Sequence, residues 1–217
     1  MQSVESFRDE YRQAEIGPSY SGVLHFIFLM VFCVGLITTC IVLVKDPNWK
    51  ELLIIPIAFL YVNFAEYIGH KGPMHHRRKN LDKVFTRHTL QHHAFFSEDK
   101  MYCDSIQDFK VILFPPVLLI FFFVAFTLPA GLLFYFLWSA NAALIFTATL
   151  FGYYLNYELL HLAYHLPPDH LVSKLPVIKT LKRNHTIHHE TPLMTKYNFN
   201  ITYPIFDLIF GTLYPKK

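Results

Sequence analysis

The chain has 217 residues, of which 53% are hydrophobic, with 22 Phe and a mean hydropathy of +0.30. One domain fits that length, but the composition is too apolar for a soluble domain of this size, so the soluble classes are excluded and a membrane protein is expected. A formal net charge of +3 is too small to call for a nucleic acid partner, and none is expected.

Residues 1–21 are polar, setting Glu5, Asp9, Glu10 and Glu15 against Arg8 and Arg12. This is neither the basic start nor the early apolar core of a secretory signal, and the segment is expected to be a cytoplasmic N-terminal stretch. The membrane domain is expected over 22–217. Lys, Arg, Asp and Glu are absent from 16–44, 52–65 and 111–157. A crossing takes about 20 helical residues, so the third stretch must hold two. Pro129 and Gly131 divide it, which places spans at 22–44, 52–70, 111–128 and 131–165. The predicted fold is an all-α integral membrane protein, four transmembrane helices carrying a cytoplasmic histidine-rich helical cap.

Orientation follows from Lys and Arg: residues 71–110 hold eight, residues 166–217 hold seven, and the 45–51 turn holds two against two acids. By the positive-inside rule, 71–110, the C-terminal segment and the N-terminus face the cytoplasm. Cys33, Cys40 and Cys103 then lie in a span or on the reducing side, and no disulfide framework or cysteine metal site is expected.

Of thirteen histidines, ten form four spaced groups: His70 with His75; His88 with His92 and His93; His161 with His165; His185 with His188 and His189. Residues three or four apart share a helix face, so three of the groups can each aim imidazoles at a common centre. His70 and His75, five apart, would diverge on a regular helix. Gly72 and Pro73 between them are expected to break it and bend the two back together. All four groups fall at the cytoplasmic ends of the predicted spans. Ten imidazoles exceed what one ion can use, which argues for two metals. Imidazole suits iron, copper, zinc or nickel alike. A zinc hydrolase would show an open three-ligand site with a carboxylate base, so iron working with dioxygen is preferred, zinc being able to occupy the same ligands in purified protein.

Glu66-Tyr67-Ile68-Gly69-His70-Lys71 with His75, Leu113-Phe114-Pro115-Pro116, Tyr157-Glu158-Leu159-Leu160-His161 with His165, His185-Thr186-Ile187-His188-His189, and the tail from Phe206-Asp207 to Phe210-Gly211-Thr212-Leu213 carry a family pattern. It resembles the fatty acid hydroxylase superfamily, the membrane di-metal oxygenases that include sterol desaturases, and most closely the fatty acid 2-hydroxylase branch. Two departures stand out: His88-xxx-His92-His93 is one residue longer than the usual gap, and Gly72-Pro73 is foreign to the first motif. The resemblance implies hydroxylation of an alkyl C–H of a lipid, a fatty acid or fatty-acyl lipid, with dioxygen. Its electrons would come from a separate donor, a b-type cytochrome or a ferredoxin-type protein with its reductase. Lipid or sterol desaturation and methyl oxidation use the same ligand set and stand as an alternative. A non-catalytic metal-binding membrane protein is the alternative from another class.

No catalytic group is expected beyond the metal centre itself. Glu66 precedes His70 by four residues and Glu158 precedes His161 by three, so each is expected behind a ligand, fixing its tautomer. Asp207 is a candidate for the same role or for a cap. His76 and His170 are expected to be exposed, and His25 to sit at the interface without a metal role.

Overall fold

The computed structural model describes residues 3–215. The described residues are 70% helix, with no strand among them. Helix α1 (Val4–Glu15) is capped by Ser3, whose hydroxyl accepts the Ser6 amide. Next come α2 (Gly22–Leu43), α3 (Trp49–Met74), a short helix α4 over 82–95, α5 (Ile106–Leu137), α6 (Ala140–Tyr164), α7 (Pro176–His189) and α8 (Ile205–Ile209). Among the described residues, three helices, α2, α3 and α5, are long and apolar enough to cross a membrane. Helix α6 has 25 residues, so it has the length, but its Asn, Thr and Tyr residues dilute its hydropathy.

The sequence places a turn at Pro129–Gly131, and the structure corrects it. The α5 helix runs through Pro129 to Leu137, and the chain turns at Trp138 and Ser139. Proline lacks an N–H and collides with the carbonyl four residues earlier. Just ahead of it, Phe123–Thr127 widens into a π-turn in which the Leu128 N–H reaches back to the Phe123 carbonyl, and the helix absorbs the proline there. The interruption in α5 comes earlier, at 113–115, because Pro115 and Pro116 supply no donors and the residue before a proline disfavours the helical region. The freed Phe114 amide donates to both Glu158 oxygens, at 3.2 and 3.3 Å.

The chain divides into two compact units that do not follow sequence order. One gathers Val23–Val62 and Phe114–Glu158. Its core is Ile54, Ala58, Ala142, Ile145, Phe146 and Leu150, with the Phe134 and Phe146 rings 4.7 Å apart. At one end, buried Glu51 accepts from the Ser139 hydroxyl and, at 2.9 Å, from the Asn48 amide, while Asn141 pairs with the Lys45 backbone at 2.7 and 3.0 Å. The turns 44–48 and 138–141 are therefore fastened to each other. His25, in the same unit, bonds the Phe114 carbonyl at 3.0 Å. Among the described residues, the other unit comprises 3–22, then Asn63–Leu113, then 159–215. Helix α1 belongs to this unit, as do all ten clustered histidines.

Candidate metal centre

All ten histidines are buried, none more than 8% exposed. They assemble into two groups. His70, His75, His88, His93 and His188 bring one ring nitrogen each within 4.8 Å of one another, and His92, His165, His185 and His189 do the same. His161 joins the second group, its Nε2 lying 3.2 Å from that of His92 and its ring 5.0 Å from those of His165 and His185. The stacked rings of His93 and His189, 4.1 Å apart, connect the groups.

Two π-turns explain how the irregular spacings converge. His70–Met74 and Thr86–His92 are both π-helical, so residues five apart, not four, come round to the same face. His70 and His75 meet this way, and so do His88 and His93, while His92 swings toward the other group. The helix is therefore not broken at Gly72-Pro73 but widened, with the amides of both His75 and His76 closing onto the Gly72 carbonyl. The extra residue in His88-xxx-His92-His93 is taken up by the same device.

Orientation comes from the backbone. The Nδ1 of His70 meets the Phe199 carbonyl at 2.5 Å, that of His92 the Val111 carbonyl at 3.2 Å, that of His165 the Met101 carbonyl at 2.8 Å, and that of His188 the Tyr197 carbonyl at 2.9 Å. His189 does the same to Phe96. A carbonyl only accepts, so each of these Nδ1 atoms carries the hydrogen and each Nε2 presents a lone pair inward. His75 is held by Thr89, whose hydroxyl donates to the Met74 carbonyl at 2.6 Å and lies 3.2 Å from the imidazole Nδ1. The Nδ1 atoms of His93 and His185 find no partner among the described residues.

The inward atoms have the spacing of ligands about a single ion. Facing Nε2 pairs lie 2.8 Å apart for His70 and His88, 2.9 Å for His75 and His188, 3.2 Å for His88 and His93, and 3.1 Å for His165 and His185 and for His185 and His189. Two imidazoles bonded at about 2.1 Å on adjacent positions of one metal sit roughly 3 Å apart. Burial also pulls the imidazole pKa down, to about 2 in His75 and about 4 in His188, and well below the usual value in His88, His92, His93, His185 and His189, with neighbouring imidazoles adding to the effect in all of these except His188. The rings are neutral at neutral pH, the form that binds metal without first losing a proton.

Glu66 acts one step further out than the sequence suggests. The Nδ1 of His70 is taken by the Phe199 carbonyl and its Nε2 faces the other rings, and Glu66 instead accepts from the Ile201 amide, from the Thr202 amide at 3.0 Å and from the Thr202 hydroxyl at 2.7 Å. Asp207, fully buried, accepts the Phe199 and Asn200 amides at 3.0 and 2.7 Å. Together they clamp the loop that supplies the Tyr197 and Phe199 carbonyls. Asn198 between them sits at φ 57°, where asparagine is tolerated, and its side chain anchors the loop to the Asn184 carbonyl and the Tyr214 amide. Arg87 grips the Lys110 and Leu113 carbonyls at 2.6 and 2.9 Å, flanking Val111 and Ile112. Sequence reasoning missed Thr89, Arg87 and Asn198, which carry no spacing signal. His76 and His170 are exposed and lie outside both groups.

The family model for fatty acid hydroxylases matches residues 55–212. The chain belongs to that family. Every one of the ten histidines lies inside the match. Members of the fatty acid hydroxylase family are metal-dependent membrane enzymes that modify lipids, and membership makes this chain an oxidoreductase of the hydroxylase type. A search of curated proteins returns no match. The fold is similar to a solved structure of full-length Scs7p in which only the hydroxylase domain is visible, with a TM-score of 0.62 and 17% identity over 90% of this chain and 67% of that one.

Proposed function

We propose that the chain is a membrane-embedded di-iron oxygenase that hydroxylates an alkyl C–H of a fatty acid or fatty-acyl lipid. The observation that carries this reading is the pairing of two buried, neutral, five-histidine groups inside a fatty acid hydroxylase match. His70, His75, His88, His93 and His188 would hold one ion, and His92, His161, His165, His185 and His189 the other. Bound iron supplies the redox chemistry: C–H, dioxygen, two electrons and two protons become C–OH and water. The protein's part is to fix the ring tautomers through backbone carbonyls, to keep water from the buried rings, and to keep the two ligand sets in contact through His93 and His189. Electrons come from a separate b-type cytochrome or ferredoxin-type donor.

The proposed topology has four crossings, α2, α3, α5 and α6, with the termini and the metal centre cytoplasmic. Support comes from the Lys and Arg distribution and from the fastening of the 44–48 turn to the 138–141 turn, which suits two turns at one membrane face.

The test is incubation of iron-loaded protein with fatty acids or fatty-acyl lipids, a reductant and isotopically labelled dioxygen. A product heavier by one labelled oxygen, lost together with bound iron in His161→Ala, is the expected result. A product lighter by two hydrogens overturns hydroxylation in favour of desaturation. Tight metal with no oxygen consumption in the presence of lipid overturns catalysis.

A further inference from the structure

We infer that Arg8, on a helix outside the family-matched residues, is a positioning residue for one of the two metals, the one assigned to His92, His161, His165, His185 and His189. The inference rests on the proposed two-metal centre. The segment 95–108 is what connects them. It supplies the Phe96 and Met101 carbonyls that orient His189 and His165, its Phe96 ring packs 4.1 Å from the His165 ring and 5.4 Å from the His92 ring, and its Cys103 amide donates to the His165 carbonyl at 2.8 Å. Three ligands of one group thus lean on this segment.

The N-terminal helix grips the same residues. Arg8 is fully buried, its Nη2 donating to the Tyr102 carbonyl at 3.0 Å and pairing with Asp104 at 3.0 Å, its guanidinium 4.5 Å from the Phe95 ring centroid and 5.6 Å from that of Phe96. Arg12 takes both oxygens of Asp108 at 2.9 and 3.0 Å, and Asp108 in turn accepts the Asp104 and Ser105 amides at 2.8 and 3.2 Å. Tyr11 adds an edge contact on Phe95 at 5.6 Å. Arg8 thus touches the immediate neighbours of both orienting carbonyls: Phe95 beside Phe96, and Tyr102 beside Met101.

A buried guanidinium is a poor stabiliser, and here Nε and Nη1 find no acceptor among the described residues. What it fixes is the register of the segment, through a carbonyl, a carboxylate and two ring faces at once. The other histidine group has separate supports, Thr89 and the loop clamped by Glu66 and Asp207, so loss of Arg8 acts on one metal and not on both.

The test is titration of the metal-free, full-length protein in detergent with cobalt(II), following visible absorption and bound cobalt. Wild type is expected to take two equivalents. Arg8→Met, which preserves length and packing, and Arg12→Gln, at a partly exposed position, are expected to keep the first equivalent tight and weaken the second about 10- to 100-fold, the range for groups that orient a ligand. Arg8→Lys should recover part of the loss. Added to His75→Ala, Arg8→Met should weaken the remaining equivalent, and added to His185→Ala it should leave that equivalent unchanged. Two equivalents bound as in wild type, or both weakened together in both variants, would overturn the inference. A wild type that takes up no cobalt overturns instead the metal centre on which it stands.

Discussion

An imidazole has two nitrogens, and most of the ten clustered rings commit the outward one to the protein so that the inward one is free to bind. For His70 and His188 the commitment depends on the loop of Tyr197 and Phe199, and that loop depends on Glu66 and Asp207. Glu66→Gln keeps the shape but turns one acceptor oxygen into a donor facing donors. A hydrogen bond to a charged group is worth about 1.5–3 kcal/mol, so thermal unfolding should report a loss of that order. The same variant should weaken cobalt binding at the His70 group about 10- to 100-fold while the His165 group binds as before, and equal weakening of both would refute the assignment. The histidines were legible because residue type and spacing announce them. Their partners were not, because a backbone carbonyl has no letter in the sequence. The carboxylates were legible as important but not in their targets: helix spacing brought Glu66 to the face of His70, and the amides of a loop more than a hundred residues away took it instead.

At the scale of elements, the π-turn is the recurring device. His70–Met74 and Thr86–His92 each bring histidines five apart onto one centre, and Phe123–Thr127 carries a helix past a proline. A π-turn is an α-helix with one residue added, so removing one residue there leaves the flanking registers unchanged. Leu90, exposed on the second π-turn, is the residue to remove. Its deletion should leave two cobalt equivalents bound, because His88 and His93 become four apart on a regular helix and still share a face. Deleting exposed Ile68 from the regular part of α3 rotates His70 by about 100° and should abolish binding at its group. If the two deletions behave alike, the π-turn is not what sets the register. Apolar runs made the helices legible, but their hydrogen-bonding pitch was not, since α- and π-turns draw on the same residues. From sequence alone, the five-residue spacing of His70 and His75 therefore suggests a break, and Pro129 a turn.

For the whole molecule, hydropathy and charge gave the helical membrane class, whereas the division into units was hidden because each unit draws on segments far apart in the chain. The proposed topology predicts that, in intact cells, a membrane-impermeant maleimide labels Lys50→Cys and spares Lys79→Cys and Lys174→Cys. Labelling all three alike would overturn the orientation, and the native Cys33, Cys40 and Cys103 are buried and should contribute little background. The reliance on main-chain carbonyls has a further consequence for how such a protein can diverge. No substitution in the loops behind the histidines removes an orienting carbonyl, although the Phe96 ring and the Asn198 side chain make contacts of their own, so an alanine scan through 96–101 or 197–199 would pass over atoms that hold four of the rings. What those loops cannot tolerate is a change of length. Selection on them should act on insertions and deletions more than on residue identity, and a similar scaffold persisting at 17% identity is what such a constraint allows.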